Sequence, residues 1–133
     1  MINWVVPKRV KSNFNNNADL DVSICKNGKH ANQLCFRTTT GIVATKFHNK
    51  NNAIVGFDSY GKEITRICFM PTDVGGYKWN RNTSTSATAQ IRISIATLED
   101  QFPNLRPSSL VGVYTLRYDE DGKYWYASIG EKQ

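Results

Sequence analysis

The chain contains one hairpin signal that restricts its fold more than any other feature. Two apolar runs rich in β-branched residues, at residues 53–57 and 64–70, flank the polar segment Asp-Ser-Tyr-Gly-Lys at residues 58–62. Two such runs around a Gly-containing polar segment are typical of a β-hairpin with a longer loop. We therefore predict that this hairpin lies at the centre of the fold.

The second run of the hairpin carries apolar side chains on both faces, because successive side chains of a strand point to opposite sides. The first face holds Ile64, Cys68 and Met70, and the second holds Thr65, Ile67 and Phe69. Both faces are therefore expected to need cover from other parts of the chain. Arg66 alone breaks the pattern. Either a charged partner pairs with it, or its stem packs on the sheet while its guanidinium reaches the rim.

Several other segments predict short strands or helices. Strands are predicted at residues 2–6, 20–25, 34–36, 90–95, 111–118 and 123–129, from period-two alternation or apolar runs bounded by turn residues. The core face of the fourth segment carries Ile91, Ile93 and Ile95. Helices are predicted at residues 41–48, with an N-cap from the preceding threonines, and at 96–102, before Pro103.

The pattern as a whole indicates a single β-rich α+β domain over residues 1–133. We expect roughly seven to nine short, mostly antiparallel strands in hairpins, and one or two short helices. The architecture is expected to be barrel-like or a swapped hairpin, with residues 1–18 forming a mobile basic N-terminal arm. The segment 111–118 and the segment 123–129 give the strongest hairpin signal, joined by the turn Asp-Glu-Asp-Gly at 119–122, and aromatic pairs across its strands are expected to stabilise it. The turn explains these three acidic residues better than a metal site does.

The positive charge of the chain is concentrated in its first part. Residues 1–81 hold 12 Lys and Arg against 5 Asp and Glu, a net charge of +7, whereas residues 82–133 hold 5 against 6, a net charge of −1. Clustered Lys and Arg favour an acidic partner, of which nucleic acid is the commonest. The alternative is that the charge only keeps a small domain soluble, for which a net charge of about 2 to 8 is usual.

One segment interleaves aromatic rings with cations. Tyr77-Lys-Trp-Asn-Arg81 would, if extended, point Tyr77, Trp79 and Arg81 to one side and Lys78 to the other, a spacing suited to stacking on unpaired bases. The competing interpretation is that Tyr77 and Trp79 anchor the core. The complete predicted nucleic-acid-binding set is Lys8, Arg9, Lys11, Lys26, Lys29, Lys46, Lys50, Tyr77, Lys78, Trp79 and Arg81.

The sequence offers no catalytic signature. Motifs for phosphate loops, dinucleotide binding, zinc proteases and serine hydrolases are absent, so we expect no enzymatic activity, no cofactor and no metal. Cys25, His30 and Cys35 are evenly spaced, but structural zinc sites need four ligands and usually pair them two to four residues apart. The three cysteines are expected to be reduced thiols. Without a leader or an apolar membrane span, we expect a cytoplasmic protein with no membrane partner.

Between residues 34 and 71 the order of elements resembles the AbrB-type swapped-hairpin DNA-binding proteins. The order is a strand, the helix at 41–48, a strand ending Val-Gly-Phe-Asp at residue 58, a polar turn, and a strand ending Ile-Cys-Phe-Met-Pro at residue 71. Small phage- and plasmid-borne proteins often carry versions of this fold. The resemblance implies an intertwined homodimer with a basic face. A competing architecture is an OB-type barrel, which binds single strands through aromatic residues and lysines.

Two functions follow as hypotheses. The first is a non-enzymatic nucleic-acid-binding accessory or regulatory protein, of the kind that a phage or mobile element encodes, that binds single-stranded or duplex DNA. The second is a phage-type inhibitor or adaptor that binds a host protein, for example one of a defence system. In that case the acidic turn at 119–121 could mimic phosphates.

Overall fold

The computed structural model describes residues 18–26, 28 and 31–133. The predicted strand at 2–6 and almost all of the predicted arm therefore lie outside the described residues. The strands are β1 (Leu20–Cys25), β2 (Gln33–Thr39), β3 (Asn52–Tyr60), β4 (Glu63–Thr72), β5 (Tyr77–Lys78), β6 (Thr88–Ser94), β7 (Gly112–Tyr114), β8 (Arg117–Asp119) and β9 (Tyr124–Ser128). The α-helices are α1 (Thr40–Thr45) and α2 (Ile95–Gln101), and 3₁₀ turns occupy Pro107–Leu110 and Ile129–Glu131. The β-rich α+β prediction is confirmed.

The described strands form two sheets, and neighbouring strands in both sheets are antiparallel. The first sheet has the order β6-β2-β1-β7, and the second has the order β5-β3-β4-β9-β8. Within the part of the chain that the structure describes, each sheet has two edge strands that do not pair with each other. The sheets therefore do not close into the OB-type barrel that was considered as an alternative.

The first sheet follows the alternation of its sequence. Tyr114 of β7 is fully buried. The large inward side chains of β1, β2 and β6 are aliphatic residues and one phenylalanine, all at most 3% exposed: Leu20, Val22, Leu34, Phe36, Ile91 and Ile93. The prediction for β1 is confirmed to the residue, whereas β2 extends further at both ends than predicted. Ile95 does not extend the core face of β6, because it is the first residue of α2.

The central hairpin is longer and its turn is tighter than predicted. β3 and β4 pair from Asn52–Thr72 up to Tyr60–Glu63, leaving only Gly61 and Lys62 in the turn. The expected longer loop is wrong because the polar residues before Gly61 continue the ladder, with a register shift between Asp58 and Ser59. Gly61 has a φ of +64°, a conformation that glycine adopts at no steric cost.

The predicted strand at 111–118 is divided between the two sheets. β7 pairs with β1 in the first sheet, whereas β8 pairs with β9 in the second. Asp19 stabilises the crossing, since its Oδ2 accepts a hydrogen bond of 2.8 Å from the backbone N–H of Leu116. The expectation of one continuous strand is wrong, because contacts distant in sequence determine which sheet each half joins.

The core lies between the two sheets and includes α1. Phe36 of the first sheet and Phe69 of the second meet edge to face, with centroids 5.7 Å apart. The hydroxyl of Thr39 accepts from the backbone N–H of Ile42 at 3.1 Å, which is the predicted N-cap, although α1 ends earlier than predicted. Val43 and Phe47 are buried in the same core. Among the described residues, no helix has the length and apolar character needed to cross a membrane.

Candidate nucleic-acid interface

Two basic segments that are distant in sequence lie side by side in the structure. The backbone N–H of Trp79 donates to the carbonyl oxygen of Asn51 over 2.8 Å. In the same place, Lys78 of β5 pairs with Asn52 of β3. The connection after α1, which carries the predicted Lys46 and Lys50, is thereby joined to the segment 77–81, which carries four more predicted residues. The fold thus brings six of the predicted residues into one region.

The chain enters this region through a backbone conformation at Gly76 that only glycine fits. Gly76 has a φ of +64°, and a Cβ at this position would collide with the carbonyl oxygen of Ala53. Beyond β5, Asn80 and Gln90 exchange two backbone hydrogen bonds of 2.8 Å each. The segment 77–80 therefore contacts β3 of the second sheet and β6 of the first, and it bridges the two sheets at one edge.

Trp79 belongs to the core, which corrects its prediction as a base-stacking residue. It is only 4% exposed, whereas Tyr77 is 38% exposed. Its ring lies nearly parallel to that of Phe47, at a centroid distance of 5.7 Å, and it also contacts Phe69. The two aromatic residues differ because β5 ends at Lys78, so strand alternation does not continue to Trp79. A base could reach the Trp79 ring only if the core opened.

A series of contacting rings runs from Trp79 to the surface. Phe47 contacts Trp79 on one side and Trp125 on the other, and Trp125 lies 5.0 Å from Tyr118 between ring centroids. Trp125 is partly buried and Tyr118 is 46% exposed. The ammonium of Lys46 lies 4.6 Å from the Trp125 centroid, within cation–π range. The exposed end of the series thus combines aromatic faces with a cation.

Sequence reasoning missed Tyr118 and Trp125 as site residues. Both lie in the last hairpin, whose aromatic pairs were expected only to stabilise it across the strands. The available signal was the density of aromatic residues in Arg-Tyr at 117–118 and Tyr-Trp-Tyr at 124–126. That signal alone does not show which ring reaches the surface beside a lysine.

The other predicted cations differ in their surroundings. Lys78 and Arg81 are exposed, whereas the ammonium of Lys50 lies 2.7 Å from Oδ2 of Asp73. Lys26 is exposed just after β1, which ends beside Gln33, at the end of β2 opposite to the one that leads into α1. Four predicted residues, Lys8, Arg9, Lys11 and Lys29, lie outside the described residues, so their predictions stay predictions.

The outer face of the second sheet combines an ion pair with apolar side chains. The guanidinium of Arg66 lies 4.2 Å from the Tyr126 centroid and 3.7 Å from Oδ2 of Asp119. A hydrogen bond from the backbone N–H of Gly122 is the largest of the effects that lower the pKa of the Asp119 carboxyl. On the same face, Ile54 and Met70 pair across β3 and β4 and are 51% and 42% exposed. The expected cover over this face is therefore incomplete in the described part of the chain.

Two of the three thiols, those of Cys35 and Cys68, are not activated as nucleophiles. Burial raises the pKa of Cys68 to about 11 and also raises the pKa of Cys35. A thiol with a raised pKa is largely protonated at neutral pH and is a weak nucleophile. Within the residues that the structure describes, no group of three or more His, Cys, Asp and Glu side chains is arranged to hold a metal ion.

Comparison with known proteins found no relative of this chain. No protein-family model matches the chain, and no curated protein or solved structure is significantly similar to it. The resemblance to AbrB-type proteins therefore remains a prediction from the order of elements alone.

Proposed function

We propose that this chain is a non-enzymatic nucleic-acid-binding protein that prefers unpaired strands. The contact surface is formed by Lys46, Lys78, Arg81, Tyr118 and Trp125, which we term the basic aromatic surface. The cations neutralise phosphates, and the rings stack on bases. An accessory or regulatory role for a phage or mobile element is the setting that we propose for this activity.

The observation that carries the proposal is the position of Lys46 over Trp125, next to the exposed ring of Tyr118. Stacking on an aromatic side chain contributes about 1 to 3 kcal/mol per base and tolerates any base sequence. Phe47 follows Lys46 in the chain and contacts Trp79, which follows Lys78. The ring contacts thus join the segments that carry these two lysines to the hairpin that carries Tyr118. Because β5 and β8 are the two edge strands of the second sheet, the basic aromatic surface extends from one edge of that sheet to the other.

The first experiment measures binding of labelled single-stranded and duplex oligonucleotides of one sequence across a salt titration. We expect tighter binding of the single strand and a steep loss of affinity with salt. The K46Q/K78Q double variant should reduce the slope of log K against log salt by about 0.7 for each phosphate that the variant no longer neutralises. The matched control K62Q/R106Q removes the same charge from exposed positions outside the basic aromatic surface and should leave the slope unchanged. Absence of binding at low salt would reject the proposal.

The second experiment tests the ring at the exposed end of the series. Tyr118→Ala should weaken single-strand binding by about 1 to 3 kcal/mol, with little change in melting temperature. Tyr60 provides the control, because it is 85% exposed at the tip of the central hairpin. Tyr60→Ala should leave affinity unchanged, and equal losses in the two variants would contradict a specific role for Tyr118.

A second candidate function is the inhibitor or adaptor that binds another protein. It is favoured by the adjacent exposed side chains of Ile54 and Met70 on the outer face of the second sheet. Such a face suits a partner protein with a complementary apolar patch. A stoichiometric partner should survive nuclease treatment and should be lost in Met70→Glu, while oligonucleotide binding is unchanged. Retention of that partner by Met70→Glu would exclude this face.

A further inference from the structure

The outer face of the first sheet contains a cleft that the proposed function does not use. Its volume is about 540 Å³, and the polar and thiol side chains that line it are Asp21, Ser23, Cys25, Cys35, Arg37, Gln90 and Arg92. The other side is lined by Val113, which lies in β7, and by Val111, which precedes it. A volume of this size lies within the range of about 300 to 1,000 Å³ that is usual for small-molecule sites.

Strand alternation places the polar side chains of the cleft on one face. Leu34 and Phe36 of β2 point into the core, so Cys35 and Arg37 point outward. On β6, Gln90 and Arg92 alternate in the same way with buried neighbours. The register pairs Cys35 with Arg92 and Arg37 with Gln90. The two arginines are therefore diagonal neighbours on adjacent strands.

Both guanidinium groups are held in position by hydrogen bonds. Nη2 of Arg37 donates to Oδ2 of Asp21 over 2.6 Å, and Nη2 of Arg92 donates to Oε1 of Gln90 over 2.7 Å. The thiol of Cys35 also donates to Oε1 of Gln90, over 3.4 Å. A guanidinium has five N–H donors, so each arginine retains donors beyond the one bond that fixes it. Side chains fixed in this way lose little conformational entropy when a ligand binds.

The two arginines act on one common point, the sulfur of Cys35. Burial is the largest effect on the pKa of this thiol and raises it, whereas the charges of Arg92 and then Arg37 act to lower it. Both cations are thus close enough to the sulfur for their charges to affect the pKa of the thiol. Of the charged groups named in the cleft, two are cations and one is the Asp21 carboxylate, which leaves a net charge of +1.

We propose that this cleft binds a small phosphate monoester, with its phosphate group held between Arg37 and Arg92. A phosphate presents several oxygens in a tetrahedral arrangement and can accept from two guanidinium forks at once. The organic part of the ligand packs on the side lined by Val111 and Val113. The site lies on the outer face of the first sheet, whereas Tyr118 and Trp125 belong to the second sheet and Lys46 follows α1, so it stands independently of nucleic-acid binding on the basic aromatic surface.

Cys35 provides the reporter for a test. The rate of alkylation by iodoacetamide is measured at Cys35 by peptide mass spectrometry, with inorganic phosphate in one arm and adenosine monophosphate in the other. Potassium chloride at matched ionic strength is the reference. A bound phosphate covers the thiol and neutralises the arginines, so the rate should fall about tenfold when the ligand is at about ten times its Kd. Cys68, in the other sheet, is the internal control and should react at an unchanged rate.

The two arms identify which part of the ligand is recognised. Equal midpoints for phosphate and the nucleotide support a site that recognises the phosphate group alone. A lower midpoint for the nucleotide supports additional contacts on the Val111 side. Protection in neither arm, or equal slowing at Cys35 and Cys68, would overturn the proposal.

Variants link protection to the arginines. Arg92→Gln should abolish protection, and Arg92→Lys, which keeps the charge but loses the planar fork, should retain it with at least about tenfold weaker affinity. Arg106→Gln removes an exposed arginine outside the cleft and should retain full protection. Unchanged protection in both Arg92 variants overturns the proposal. Arg92→Lys keeps the test decisive if the neutral variant fails to fold.

Discussion

The two sheets share one core but differ in their outer surfaces. In the first sheet β2 and β6 alternate regularly, so the outer face of these strands is mainly polar, and hydrogen bonds join Arg37 to Asp21 and Arg92 to Gln90. The second sheet carries apolar side chains on both faces, and Ile54 and Met70 remain exposed on the outer face, which also holds the Arg66–Asp119 ion pair. The comparison shows that regular alternation leaves polar side chains outside, where they can bond to one another. An apolar run such as that in β4 instead leaves apolar side chains exposed to solvent.

The inner faces differ as well. The first sheet contributes mainly aliphatic side chains, with Phe36 as its one ring among the large inward residues of β1, β2 and β6. The second sheet contributes the rings of Phe69 and Trp125, the segment after α1 contributes that of Phe47, and Trp79 is packed among them. Aromatic side chains bury large areas and contact one another in specific geometries. Substitutions among these rings should therefore have the largest effects.

The largest effect is expected for Trp79→Ala, which removes a ring from the aromatic part of the core. The free energy of unfolding should fall by about 3 to 5 kcal/mol through lost burial and a cavity. Chemical denaturation measures this value, and Tyr77→Ala, two residues away, should cost less than about 1 kcal/mol because that ring is already exposed. Equal losses would show that the two residues share one environment. A stable Trp79→Ala protein that loses only oligonucleotide binding would restore the interpretation of Trp79 as a stacking residue.

The next largest effect tests the point where the chain crosses from one sheet to the other. Asp19→Ala removes the acceptor for the backbone N–H of Leu116 and should cost about 1 to 3 kcal/mol of stability, because a partly buried donor loses its partner. Asp19→Asn keeps a side-chain oxygen and should cost less. Hydrogen exchange at Leu116 should accelerate in Asp19→Ala. If exchange there is unchanged, the carboxylate does not hold the crossing.

A smaller effect is expected at alkaline pH, where buried groups of both sheets keep their protons longer in the folded chain than in the unfolded chain. Burial raises the pKa of Cys68, in the second sheet, from 9.0 to about 11, and that of Tyr114, in the first sheet, from 10.0 to about 12. The unfolded chain loses these protons first, so stability is complete below pH 9.0 and falls as the pH rises through the two windows. Denaturation from pH 8 to 12 measures the loss.

Two variants test which residue causes the loss of stability in each pH range. Cys68→Ala should reduce the decline between pH 9.0 and about 11, leaving the part due to Cys35, whose pKa is also raised. Tyr114→Phe should reduce the decline between pH 10.0 and about 12. It also loses the hydrogen bond to the Leu110 carbonyl, so the slope with pH is the decisive quantity rather than the stability itself. An alkaline slope that neither variant changes would contradict this assignment.

The smallest effect on stability is expected for Asp73→Asn, near the basic aromatic surface. The Lys50–Asp73 pair is exposed, with 38% and 72% of the two side chains accessible, and such pairs contribute only about 0 to 1 kcal/mol. Removal of the carboxylate should nevertheless tighten oligonucleotide binding at low salt, since it frees Lys50 for a phosphate. Glu131→Gln, which frees Arg117 from a similar 2.7 Å pair, is the matched control. Equal tightening in both variants would indicate a general charge effect.

Part of the candidate site could be predicted from the sequence. Charge and aromatic interleaving indicate Lys46, Lys78 and Arg81, and the structure brings their segments together. The sequence places Trp79 on the same surface because it does not show that β5 ends after two residues. It misses Tyr118 and Trp125 because their proximity to Lys46 arises from packing between elements more than 70 residues apart.

The sequence by itself determined the local elements. Alternation predicted β1 and two of the three inward residues expected in β6, namely Ile91 and Ile93. The threonine cap set the start of α1, and Gly122 with Asp119 set the last turn. These features depend on interactions between residues within a few positions of one another. Only the tertiary structure decided that residues 111–118 divide between two sheets, that Trp79 is buried, and that Arg37 and Arg92 share a cleft. The physical reason is that a strand's own pattern sets which way its side chains point, whereas its neighbours are chosen by contacts across the whole chain.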